Sequence, residues 1–142
     1  MKKYKIGYTQ GVFDMFHIGH LNLLNQAKQY CDYLIVGVNS DKLVESYKQK
    51  TPVINQEARS LIVNNIKAVD KGFIVTTLNK IEIWEMLHFN AIFIGDDWLG
   101  NPRWNQTKLE LNELGVDVVF LRHTDGISST LLRDEVQKKI DG

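Results

Sequence analysis

Gly11-Val12-Phe13-Asp14-Met15-Phe16-His17-Ile18-Gly19-His20 lies between the apolar run Ile6 to Tyr8 and a segment with Leu21, Leu24 and Ala27 at helical spacing. A strand that passes through a glycine-bearing loop into a helix is the opening unit of an α/β fold. Working outward, apolar runs of strand length recur at Tyr33 to Val38, Phe73 to Val75, Ala91 to Ile94 and Val116 to Leu121. They do not alternate with polar residues and are bounded by Gly, Asn or Asp, the pattern of strands covered on both faces.

Helical spacing recurs between these runs, in Ala58, Leu61, Ile62 and Ile66, in Ile83 and Leu87, and in Leu109, Leu111 and Leu114; a last helix is predicted from Ser128 to about Ile140. The alternation predicts an α/β, Rossmann-like doubly wound sheet of five parallel strands, with right-handed crossovers and helices on both faces. Ligands of such sheets bind beyond the carboxyl ends of the strands, where the strand order reverses. Polar and aperiodic, Glu45 to Pro52 is expected to be a mobile loop.

At 142 residues and 44% hydrophobic, the chain can bury roughly two-thirds of its unfolded surface, enough for one domain over residues 1–142. Seventeen basic residues balance 17 acidic ones, so no global field recruits nucleic acid or an anionic membrane. A lone cysteine, Cys31, excludes an intrachain disulfide and a multi-cysteine metal site and reads as a small buried hydrophobe. The lysines at positions 2, 3 and 5 lead straight into a strand, without the apolar core of a signal peptide. No window approaches the ~18 uninterrupted apolar residues of a membrane span. A cytoplasmic protein is expected.

Backbone N–H groups at a helix start point at whatever lies there, and the helix dipole favours an anion. His17 and His20, three residues apart, can face that spot together, and Gly19 removes side-chain bulk between them. Imidazole N–H donors suit a phosphorus centre whose equatorial oxygens gain charge in the transition state. The competing reading is that the histidines satisfy backbone groups.

Phe13-Asp14 followed by His17-Ile18-Gly19-His20 resembles the signature of the HxGH nucleotidyltransferase superfamily. At the other end, Gly126-Ile127-Ser128-Ser129-Thr130 is similar to the second half of the RTEGISTT motif of cytidylyltransferases. Ser128 suits a helix N-cap, and the same hydroxyls and N–H groups can cradle the outer phosphates of a nucleoside triphosphate. Through Gly95-Asp96-Asp97-Trp98 and the Lys48-Gln49-Lys50 loop upstream of Glu57 and Arg59, the chain most resembles bacterial glycerol-phosphate cytidylyltransferases.

The resemblance implies transfer of a cytidylyl group from CTP, with Mg²⁺, to a phosphate monoester, giving a CDP-linked precursor of a surface polymer, by a homodimer. It implies that His17, His20, Lys48 and Lys50 are catalytic. The nucleotide would lie on Gly11, Val12, Phe13, His17, Gly19, His20, Lys50, Asp97, His123, Thr124, Gly126, Ile127, Ser128, Ser129 and Thr130. The acceptor would meet Asp14, Lys48, Arg59, Lys80 and Asp97, and no protein-held metal is implied. Trp98 and Trp104 are expected to pack the adjoining loop.

Three departures stand out. His123 occupies the place of the motif arginine, with Arg122 one position earlier, and Lys67 stands where the similar enzymes carry arginine. The stretch Gly95 to Trp104 is longer than theirs by Asn101-Pro102-Arg103-Trp104. Ile127-Ser128-Ser129-Thr130 with Arg133 also resembles the ISSTxxR pattern of adenylyltransferases acting on heptose or flavin phosphates. Phosphoethanolamine or phosphocholine as acceptor, and a nucleotide-binding module without catalysis, are the remaining alternatives.

Overall fold

A computed structural model describes residues 2–125 and 129–141, with residues 129–131, 133, 140 and 141 described by their backbone alone. Its strands are β1 (Tyr4–Gly11), β2 (Cys31–Asn39), β3 (Lys71–Val75), β4 (Ala91–Gly95) and β5 (Asp117–Leu121). Its helices are α1 (Ile18–Tyr30), α2 (Asp41–Lys48), α3 (Gln56–Asn64), α4 (Lys80–Leu87), α5 (Pro102–Glu113) and α6 (Ser129–Asp141). The five strands form one sheet in the order β3-β2-β1-β4-β5, and every pair is parallel. The order reverses between β1 and β4, so the loops after these two strands flank the crevice where such sheets bind ligands.

Each sheet face has its own core. Leu24 and Ala27 of α1 and Val63 of α3 pack with Leu34, Val36, Val38 and Phe93 on one side. Ile83 of α4 and Leu111 of α5 pack with Tyr8, Ile35, Phe89 and Ile92 on the other. Two covered faces explain why the strands read as apolar runs instead of alternating. Cys31 is fully buried at the start of β2.

Two expectations about loops are corrected. The polar stretch from Glu45 is helical as far as Lys48, because α2 runs Asp41–Lys48. Ser40 caps it by accepting from the Leu43 amide, Asp41 sits in its first turn and Lys48 in its last, so capping and dipole complementarity supply what hydrophobic spacing lacks. The residues added near Trp104 are also helical: Pro102 opens α5, and Asn101 accepts from the amides of Arg103 (3.0 Å) and Trp104 (3.3 Å). Proline at a helix start has the required φ and lacks an amide that would be unpaired there. Among the described residues no helix is long and apolar enough to cross a membrane.

Candidate active site

The α1 entrance is built by its histidines. His17 is the N-cap, and its Nδ1 accepts from the Gly19 amide at 3.0 Å. His20 Nδ1 accepts from the His17 amide at 3.2 Å. The pair forms a capping box in which two imidazoles replace the usual hydroxyl and carboxamide. This arrangement fixes the tautomer. A ring nitrogen that accepts carries no proton, so each neutral ring holds its proton on Nε2.

The rings stack with centroids 3.8 Å apart. Burial pushes both pKa values down; for His20 it acts with the adjacent His17 and against Asp14, bringing the ring to about 4. His17 Nε2 is buried without a hydrogen-bond partner. A buried donor left unpaired is costly unless a ligand satisfies it. No acidic residue occupies the first turn of α1, so the positive end of its dipole suits an anion.

The loop before the helix is held under backbone strain. Phe13 and Met15 adopt φ of 54° and 47°, each costing on the order of 1–2 kcal/mol. Asp14 between them is 3% exposed. Its carboxylate accepts from the amides of Val53 (2.8 Å), Ile54 (2.9 Å) and Met15 (3.1 Å). Arg59 reinforces the tie. Its guanidinium donates to the carbonyls of Ile54 (2.8 Å), Val12 (2.7 Å) and Asn39 (2.8 Å) and pairs with Asp41 at 2.6 Å. Asp14 and Arg59, expected to meet the acceptor, are both engaged within the protein. Asp14 is turned to the loop amides, and Arg59 is fully buried with its donors engaged by the chain, so both brace the loops around the histidines.

The remaining cations divide. Lys48 ends α2 and Lys50 follows Gln49, and both are exposed. Lys80, at the start of α4, is partly buried, donates to the Leu78 carbonyl at 2.9 Å and lies 5.5 Å from the centre of the Trp104 ring. Burial and the nearby Arg103 push its pKa down to about 8. Trp104 packs against the α4–α5 core, whereas Trp98 is 46% exposed. Asp97 is exposed on the turn Asp96–Trp98. A Cβ at Gly95 would lie 2.6 Å from Asp97 Oδ1, a contact that rotation of the exposed Asp97 side chain relieves. At Gly11 on the first loop a Cβ would meet the Phe13 ring at 3.2 Å.

The last loop is tied to both sides of the crevice. Asn22 of α1 donates to Thr124 Oγ1 at 2.9 Å, and Gln26 donates to the Arg122 carbonyl at 3.0 Å. Opposite, Asp96 accepts from the His123 amide at 3.3 Å and contacts its Nδ1 at 2.5 Å. A cleft of about 390 Å³ opens between α1 and residues 122–124. Gly126, Ile127 and Ser128 lie outside the described residues, and Ser129 and Thr130 open α6. The sequence reading missed Asn22 and Gln10, and quoted Asp96 without its tie to His123. The Gln10 amide donates to Asn39 (2.8 Å) and to the Thr77 carbonyl (3.0 Å), linking the ends of β1 and β2 to the loop after β3. For Gln10 and Asp96 the available signal was a polar residue at the carboxyl end of an apolar strand.

The paired imidazoles at the start of the first helix place the two histidines of the HxGH resemblance side by side at the switch point of the sheet. A model of the cytidylyltransferase-like family matches residues 8–135. The chain belongs to that family. It is 33% identical over 135 residues to a glycerol-3-phosphate cytidylyltransferase of Bacillus subtilis (strain 168), spanning 90% of this chain and 94% of that protein. It is 35% identical over 140 residues to an ethanolamine-phosphate cytidylyltransferase of Dictyostelium discoideum, spanning 96% of this chain and 38% of that one. The lipopolysaccharide core biosynthesis protein from Thermoplasma volcanium GSS1 has the same fold, with a TM-score of 0.70 at 22% identity over 85% of this chain and 97% of that one.

Proposed function

We propose that the protein is a glycerol-phosphate, or related polyol-phosphate, cytidylyltransferase that converts CTP and the phosphate monoester to a CDP-linked product and pyrophosphate. The observation that carries this reading is the buried, unpaired His17 Nε2 at a helix start free of acidic residues. An α-phosphate there would accept from Nε2–H of His17 and His20. A phosphate oxygen of the acceptor attacks the α-phosphorus, a new P–O–P bond forms, and the bond to the β-phosphate breaks as pyrophosphate leaves. The attacking oxygen is already anionic near neutral pH, so positioning and charge stabilisation carry the rate enhancement.

Lys48 and Lys50 would align the phosphates, and Lys80 would receive the acceptor's phosphate. His123, Thr124 and residues 126–130 would follow the triphosphate. Among the described residues no group of three or more His, Cys, Asp or Glu side chains is placed to hold a metal; Mg²⁺ belongs in this reading to the substrate, as MgCTP. The proposal includes a cytoplasmic homodimer feeding surface-polymer synthesis. Leu61 (66% exposed) and Ile62 of α3 offer adjacent apolar side chains for pairing, and light scattering should give twice the 16.4 kDa chain mass.

Pyrophosphate release from MgCTP with a panel of phosphate monoesters tests the reading. Glycerol phosphate should support turnover, and His17→Ala should lower it on the order of a hundredfold. A rate unaffected by His17→Ala overturns the assignment of the histidines. The similarity to an ethanolamine-phosphate cytidylyltransferase supports a second acceptor class, and turnover of phosphoethanolamine with failure of every polyol phosphate would establish it. ATP in place of CTP separates the adenylyltransferase reading.

A further inference from the structure

We propose that His123 is a positioning residue whose doubly protonated ring clasps the last loop to the end of β4, so that CTP affinity depends on a single proton. This rests on the nucleotide reading above. The geometry favours both protons. His123 Nδ1 lies 2.5 Å from Asp96 Oδ1, and Nε2 lies 2.9 Å from Asp125 Oδ1. Carboxylates accept, and a neutral imidazole has one N–H, so a neutral ring would set a lone pair against one of the two oxygens. Either contact can be kept on deprotonation, but not both.

Asp96 also accepts from the His123 amide, and thus continues the β4–β5 connection past its last paired residues, Gly95 and Leu121. Three ties hold the segment before residue 126. Those from Asn22 to Thr124 and from Gln26 to the Arg122 carbonyl are neutral amides, indifferent to pH. The tie from His123 to Asp96 is ionic. The charged groups facing the ring among the described residues are Asp96 from the turn after β4 and Asp125 from its own segment, with Arg122 acting on Asp96, while α1 presents the uncharged Asn22 and Gln26. The hydrogen bond and charge of Asp96, with Asp125 adding, hold His123 above its ordinary value, and the same contact holds Asp96 low. The ring thus gains through a proton the positive charge that arginine supplies at the corresponding place in the similar motif. An arginine could span both carboxylates at every pH.

Two readouts test this on the full chain. Ring-carbon NMR without nucleotide follows its four histidines, with His123 assigned by its loss in His123→Arg. Its midpoint should lie above 6.5 and fall in Asp96→Asn. A midpoint at or below 6.5 that Asp96→Asn does not move overturns the clasp. In the pyrophosphate assay, KM for CTP should rise by about fivefold as pH passes the His123 midpoint, with kcat changing less. His123→Arg should flatten that profile, and His123→Gln should show the high KM at every pH. A wild-type rise that persists in His123→Arg overturns the proposal. Absence of CTP turnover in every variant, with the NMR midpoint still raised, refutes the nucleotide reading and the claim on CTP affinity while upholding the clasp.

Discussion

The first loop and the last loop shift the same side chain in opposite directions. His17 and His20 are partly buried, stacked on each other, and receive backbone N–H groups on Nδ1. His123 is 54% exposed and faces carboxylates through both nitrogens. Burial and donors disfavour a second proton on the first two rings; acceptors favour it on the third. The difference extends to how each loop is held. Around His17 the ties are Asp14 and Arg59, 3% and 0% exposed, whereas the His123 contacts lie at the surface. Rigid geometry is provided where phosphorus chemistry is proposed, and an adjustable contact where the nucleotide enters and leaves in that reading.

The largest effect should come from cutting the first loop's brace. Arg59→Ala removes the guanidinium from Asp41 and from three carbonyls, which should destabilise the chain by about 3–5 kcal/mol in urea unfolding. A cost near that of a surface substitution would remove the contrast in rigidity. Next comes chemistry. His20→Ala should reduce kcat on the order of a hundredfold, in contrast to the KM effect expected of His123→Gln. Equal changes in KM and kcat for both variants would show that the two loops do not divide the work.

A third effect appears on acidification. His20 has its folded pKa at about 4 against an ordinary 6.5, so the unfolded chain takes up a proton that the folded chain refuses. The stability present above pH 6.5 should therefore decline as pH falls towards 4, by up to about 3 kcal/mol. Urea midpoints for wild type and His20→Asn over that range check it. A wild-type slope identical to that of the variant contradicts a neutral, buried His20.

These contrasts show what a sequence can carry. Apolar runs exposed the sheet because both of its faces are covered, yet β1 extends to Gly11 beyond the run ending at Tyr8. Thr9 and Gln10 are polar but find partners within the fold, the Thr9 hydroxyl on the Phe93 carbonyl and the Gln10 amide on Asn39 and the Thr77 carbonyl. Helix α2 escaped notice because its caps and end charges outweigh its sparse apolar pattern. His17 and His20 were legible as a pair since three residues along a helix bring side chains to one face. Asp14 and Arg59 were legible as charged residues near the site, but whether a charge faces the ligand or the chain depends on partners 40 and 47 residues apart in sequence. Asp96 and Asp97 are adjacent and chemically alike, and the direction in which β5 leaves the sheet decides that Asp96 meets His123.

The smallest effect is the most diagnostic. Removing the ring in His123→Gln affects an exposed contact, and exposed ion pairs contribute little to folding; its sign, however, is opposite to that of His20. A folded pKa above the ordinary 6.5 means that the folded chain keeps a proton the unfolded chain has begun to lose. The contribution is fully present below pH 6.5 and disappears as pH rises through the folded value. The gap in urea midpoint between wild type and His123→Gln should therefore be open at about pH 6 and close on the alkaline side, while the gap for His20→Asn closes on the acid side. Midpoint gaps that close in the same direction for both variants would mean that the two rings share one charge state, and the division between the loops would fail.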